Sequence, residues 1–204
     1  MRDIHPTKSH LIATTVSLID EFGPQGFTVD QLLDNSKISK GSLYHHFEDF
    51  HDVIIAAQVE RFAQYVEEDI AGVTQVLLAA TSREDLSNRL DTVSLIAHSE
   101  ERAKRRGDRM EILTSARHSE KMKLALGPVQ ARLTASFADL IREMQSRQWV
   151  TTEISPEAVA VFIQAYSLGL VVNDASSEHI DMAAWHQLIS RVLRKLIYTN
   201  RYRS

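Results

Sequence analysis

The sequence has no cysteine, and its 204 residues include only seven glycines and four prolines. Without thiols there can be no disulfide framework, no thiolate zinc site and no cysteine nucleophile, and such a chain suits a reducing interior. Gly and Pro are scarce, Asn-Gly and Asp-Gly turns are absent, and no stretch alternates for long with period two. The usual signs of β-structure are therefore missing. Long apolar runs are lacking as well. VLLAA and GLVV are typical, far below the roughly 20 residues that span a bilayer. The opening MRDIHPTKSH carries no apolar stretch of the secretory-signal type. Together these gaps lead to the expectation of a cytoplasmic protein with no membrane partner.

Helix signals fill the space that remains. Leu11, Ile12, Thr15, Leu18, Ile19 and Phe22 recur at helical spacing between Pro6-Thr7 and Gly23-Pro24. Thr28 is placed to cap a second helix and Ser39 a third that runs through Phe47, with Asp34–Lys37 as the connection. A fourth, long helix starts at Asp49, with Val53, Ile54, Ala57, Phe62 and Val66 toward a core. Beyond about residue 72 the helices lengthen. Ser82 to Asp85 resembles a capping box, Gly127-Pro128 is expected to break the chain before another helix, and Ser155-Pro156-Glu157 is a strong helix start. The basic run Arg102, Lys104, Arg105, Arg106 and Arg109 reads as a solvated helix face rather than a second nucleic-acid patch.

Two helices have more apolar surface than one chain needs. From Pro156, Val159, Phe162, Ile163, Tyr166 and Leu170 form one face, while Val161, Ala165, Leu168 and Val172 form another. The last helix, from about Asp181, carries Trp185, Leu188, Ile189, Val192, Leu193, Leu196 and Ile197. Such width predicts a homodimer through these C-terminal helices.

The stretch TVDQLLDNSKISKGSLYHHF, residues 28–47, holds two helices too short to stand alone in water. A tight turn joins them, and longer helices precede and follow. This is the pattern of a helix-turn-helix, in which the second helix enters the major groove. Gly41 and Ser42 permit close approach, Lys40 supplies charge, and Tyr44, His45 and His46 supply donors. Phe47 reads as core. Adjacent histidines diverge on a helix and no His-x3-His pair supports them, so no metal is expected. Charge poses an objection. Residues 1–55 hold four basic against eight acidic side chains and so carry the whole net charge of −4. Only the local potential at the groove matters, however, and Lys8, Lys37, Lys40 and the five histidines of this segment can gather there.

The residues GFTVDQLLDNSKISKGSLYHHFEDFHDVI resemble the DNA-binding signature of the TetR family of transcriptional regulators. Ser39, Gly41, Ser42, Leu43, Tyr44, His46 and Phe47 match it, and LIATTVSLIDEFGPQGFTV is similar to the family's first helix, with Gly23 and Thr28 in step. The likeness spans about residues 8 to 54. It departs at Leu33, where the family commonly has Ala, at Ser36-Lys37, where Ala-Gly is common, and at Phe50, where a phosphate-gripping lysine is usual.

The expectation is an all-α protein of about nine helices. A three-helix DNA-binding domain occupies 5–65, with its helix-turn-helix at 28–47. A helical effector-binding and dimerisation domain occupies 66–204. The resemblance implies a regulator, most often a repressor, released from a palindromic double-stranded operator by a small-molecule effector. Its DNA-binding candidates are Thr28, Lys37, Ser39, Lys40, Gly41, Ser42, Tyr44, His45 and His46. Candidates for ligand contact are His98, Phe137, Trp149, Phe162, Tyr166 and Asn173, a mix of aromatic and isolated polar groups such as pockets carry. An activator, or a constitutive or architectural DNA-binding protein without an effector, stays open. No cofactor and no enzymatic activity are expected, since no nucleophile elbow, phosphate loop or His-Glu-x-x-His is present.

Overall fold

The computed structural model describes residues 5–197, with side chains described through Lys195. Among the described residues the regular structure is helical throughout: α1 (Pro6–Phe22), α2 (Val29–Ser36), α3 (Lys40–His46), α4 (Phe50–Ala79), α5 (Arg83–Ala97), α6 (Ala103–Ser115), α7 (Glu120–Ser146), α8 (Pro156–Gly169), α9 (Val171–Asp174) and α10 (Met182–Ile197). Because α9 continues α8 past Leu170, Pro156–Asp174 is effectively one helix of 19 residues. The chain divides into two compact units. One runs through Tyr65 and includes Ser115–Val129, and the other comprises Val66–Thr114 and the residues from Gln130 onward. The stretch expected as one domain over 66–204 is thus interrupted, with Ser115–Val129 belonging to the first unit.

In the first unit the short helices are held by capping and by one apolar cluster. The Thr28 hydroxyl accepts from the Gln31 N–H while the Gln31 side chain accepts from the Thr28 N–H, a complete capping box. Ser39 caps α3 through the Ser42 N–H. Beneath them Leu11, Leu32, Leu43, Val53 and Ala57 are fully buried, joined by Leu18, Ile19, Phe27 and Phe47. The connection between α2 and α3 is shorter than expected. Asp34 to Ser36 complete the helix, and Lys37 stops it in the left-handed region at φ 56°. On α7, Lys121 pairs with Asp52 and Glu48, while Met122 and Leu126 are buried.

Gly127-Pro128 does not break the chain, because α7 runs through it. Pro128 removes one N–H and leaves the Leu124 carbonyl without its helical donor. Leu124 and Pro128 are both exposed, so water can satisfy that carbonyl, while buried Met122 and Leu126 on one side and Leu133 and Phe137 on the other hold the helix.

In the second unit the arginines of α6 are not a solvated face. Arg106 is 6% exposed and makes a bidentate pair with Asp174, at 2.8 and 2.9 Å, and donates to the carbonyls of Ala97 and Ser99. Asp69 is shared by Arg105 at 2.7 Å and Arg109 at 2.6 Å, and Glu68 also pairs with Arg105. A guanidinium can be buried only when its donors are met in this way. Helix Pro156–Asp174 is long and apolar enough to cross a membrane by composition. Its polar groups nonetheless tie it into this unit: Asp174 to Arg106, and Gln164 to Gln130 at 2.6 Å.

Leu43→Ala should lower the unfolding free energy by about 2–5 kcal/mol, the usual cost of emptying a closed core site. Urea unfolding followed by helicity checks it, and a loss below 1 kcal/mol would mean that α3 is not anchored by this side chain.

Candidate nucleic-acid interface and ligand cavity

Helix α3 buries Leu43, with Phe47 at its C-terminal cap, and leaves Ser39, Lys40, Gly41, Tyr44 and His45 exposed. Ser42 and His46 are half-buried. Thr28 and Lys37 are exposed at the two ends of α2. Tyr44 is 43% exposed with no use in the core, whereas Phe47 is 7% exposed and receives Lys8 Nζ over its ring at 5.1 Å. A Cβ added at Gly41 would meet nothing within 4 Å. Glycine in a helix is a liability that the fold itself does not demand here.

Histidines gather at this end of the unit. The His5 and His46 rings lie 4.8 Å apart, and His45 and His46 lie 5.1 Å apart, edge to face. Partial burial, then the charges of His5, His45 and Lys8, hold His46 below its ordinary value. His5 caps α1, accepting from the Thr7 N–H. His10 Nε2 lies 3.0 Å from the Ser36 carbonyl and so fastens the turn to α1. Neither His5 nor His10 was singled out by the sequence, since lone histidines carry no spacing signal. Phe50, standing where a lysine is usual, packs edge to face on Phe27 with ring centroids 5.6 Å apart. Among the described residues no group of three metal-ligating side chains comes together.

The second unit contains a cavity of about 430 Å³, within the usual range for small-molecule sites. Its walls are mostly aliphatic, from α4, α5, α7 and α8, with Ser94, Gln164 and Tyr166 as polar points and the α6 arginines along one side. Of the six ligand candidates only Phe137 and Tyr166 line it. Trp149 instead takes the Arg147 guanidinium over its ring at 5.1 Å. Phe162 is 37% exposed, and the Asn173 Oδ1 accepts from the Ile180 N–H at 2.9 Å. His98 is 2% exposed and does not reach the lumen. It sits among Tyr166, Trp185 and His186, with ring centroids 5.4 to 6.0 Å away, and its Nδ1 lies 3.3 Å from the Ser94 hydroxyl. His98 Nε2, Trp185 Nε1 and His186 Nδ1 have no hydrogen-bond partner within the chain. Aromatic identity in the sequence gave no facing, which is why these assignments scattered.

An all-helical chain with a capped, outward-facing helix-turn-helix and a separate cavity-bearing unit has the architecture of a one-component regulator. Residues 11–56 match the family model described as bacterial regulatory proteins, tetR family, and that segment is a TetR-family N-terminal unit. No curated protein sequence matches the chain. Solved structures similar to it include a TetR-family regulator from Mesorhizobium loti, at 15% identity and TM-score 0.71, covering 95% of this chain and 97% of that one. Reduced NemR of E. coli is similar at 19% identity and TM-score 0.65, covering 97% and 100%. A Pectobacterium atrosepticum TetR-family regulator gives 22% identity and TM-score 0.62, covering 96% of each chain. The chain therefore has the TetR-regulator fold.

Burial, then the charges of His186 and Arg106, push the His98 imidazole down to about 4 from its ordinary 6.5. The folded state holds it neutral while the unfolded chain protonates it first. Its contribution is complete above pH 6.5 and is lost as pH falls toward 4, about 3 kcal/mol in all. Urea midpoints at pH 7 and pH 4.5 should differ by more in wild type than in His98→Phe. Equal differences would remove His98 as the cause.

Proposed function

We propose that this protein is a cytoplasmic, non-catalytic DNA-binding transcriptional regulator. It acts as a homodimer on a palindromic operator and, in the repressor sense, is released from it by a small molecule held in the second unit. The observation that carries the reading is α3. A seven-residue helix, capped and anchored from below, presents a small-residue and donor surface that the chain itself leaves uncovered. That surface suits the major groove. Lys37, Lys40 and Tyr44 serve the phosphates, and Ser42 and His45 the base edges. The dimer reading rests on α8 and α9, where Val161 is 54% and Val172 80% exposed while Val159, Ala160 and Leu170 are buried. Leu196 and Ile197, which close the stripe on α10, have side chains outside the described residues. A ligand acts on DNA affinity only through its different affinities for two conformations. Helix α4 contributes residues to both units and is the covalent route for such a change.

The test is selection of bound duplexes from a random library, followed by anisotropy at fixed salt. Half-sites should be arranged as a palindrome one helical turn apart or a multiple of it. Gly41→Ala should leave the fold intact, or stabilise it by up to about 1 kcal/mol, while weakening binding to the selected site. Tyr44→Phe should weaken binding alike on all sequences. Val172→Arg should leave helicity unchanged but halve the mass in solution. A monomeric wild type at micromolar concentration, or a Gly41→Ala variant that binds as well as wild type, would refute the corresponding part.

DNA affinity should also rise as pH falls. His46 is held below its ordinary value in the free chain, so it is largely neutral near pH 7, and phosphates favour its charged form. Binding therefore takes up protons. Anisotropy at pH 7.5 and 5.5 should show tighter binding at the lower pH, with a smaller gain in His46→Gln. An unchanged affinity would exclude the histidine cluster from the contact.

A further inference from the structure

We propose that the cavity of the second unit is built for an apolar acid, a molecule with an apolar body and one carboxylate, and that Arg102 is the side chain that receives the acid group. This rests on the reading that the cavity holds the effector, and it goes on to name the effector's chemistry. The body is dictated by the walls, which are aliphatic apart from a few isolated polar points. An apolar body of small-molecule size gains by leaving water for such walls.

The charge is dictated by the arginines along one side. Arg102, Arg105, Arg106 and Arg109 all line the cavity. Three carboxylates answer these four guanidiniums. Asp69 takes Arg105 and Arg109, Glu68 adds to Arg105, and Asp174 takes both forks of Arg106. Arg102 is half-buried and has no ion-pair partner among the described residues. The neighbouring acids do not answer it. Glu100 and Glu101 are exposed and off the lining, with Glu101 accepting from Ser99, and Asp108 pairs with Lys104 at 2.9 Å. One cation is left over at the edge of an apolar lumen. A guanidinium in that setting gains most from a planar anion that meets its fork of donors. A cationic ligand would meet Glu68 and Asp69 only by displacing arginines already seated on them. A neutral ligand would leave Arg102 as it stands.

The test uses three probes with one chain length: decanoate, methyl decanoate and decylamine, each titrated calorimetrically below its aggregation limit into full-length wild type, Arg102→Gln and Ile163→Trp. Helicity of both variants is checked first. Wild type should bind decanoate about tenfold more tightly than the ester, with the amine weakest. Arg102→Gln should bring acid and ester to similar affinity while leaving the ester unchanged. Ile163→Trp, which fills the lumen, should weaken acid and ester together. Equal binding of acid and ester, tighter binding of the amine, or a preference that survives Arg102→Gln overturns the acid class while leaving the cavity as an effector site. If none of the three binds, the acid class falls. The effector reading is then judged separately, by whether neutral compounds outside this series release the selected duplex in wild type but not in Ile163→Trp.

Discussion

The N-terminal unit depends on a single constraint: helices of eight and seven residues cannot persist in water without a shared apolar support. Leu32 and Leu43, both fully buried, are the points where α2 and α3 meet that support, and Leu11, Val53 and Ala57 supply it from α1 and α4. Because each short helix spends its apolar residues downward, nearly everything left on α3 is polar or small. The surface proposed to face DNA is thus a by-product of how little α3 can bury. Capping by Thr28 and Ser39 completes the arrangement by satisfying donors that such short helices would otherwise leave bare.

Much of this was legible in the sequence, because periodicity and capping are local signals. The starts at Pro6, Thr28, Ser39, Ser82 and Pro156 follow from residues within one turn of each helix. The failures came where tertiary context decides. Pro128 lies inside α7 although proline is a helix breaker, since burial on both sides outweighs one lost hydrogen bond. The α6 arginines read as solvated because their partners lie 36 to 68 residues away in sequence. No helical-spacing rule pairs residues at such distances.

The candidate sites were legible to different degrees for the same reason. The DNA-facing residues follow one another on one short helix, so naming the helix named the surface. The cavity is assembled from four or more helices, and whether Phe137 or Phe162 faces it depends on rotations of a fraction of a turn. His98 illustrates the cost of guessing from residue type. Its position on α5's C-terminal cap was visible, but not its enclosure by Tyr166, Trp185 and His186.

Position 37 shows how the acidic unit reconciles stability with a basic partner. The turn from α2 to α3 needs a left-handed residue, and glycine would take φ 56° without cost from a Cβ. Lysine there costs on the order of 1 kcal/mol. The fold partly offsets this with local hydrogen bonds: Ser36 accepts from the Ile38 N–H through its hydroxyl, and the Ser36 carbonyl is met by His10. In return the turn gains an exposed cation beside α3, in a unit whose first 55 residues carry twice as many acids as bases. With Phe50 committed to packing on Phe27, the usual place for a phosphate-gripping lysine is closed. A charge moved into the turn keeps the number of phosphate contacts up. The strain at Lys37 and the packing of Phe50 are, in this reading, two halves of one exchange.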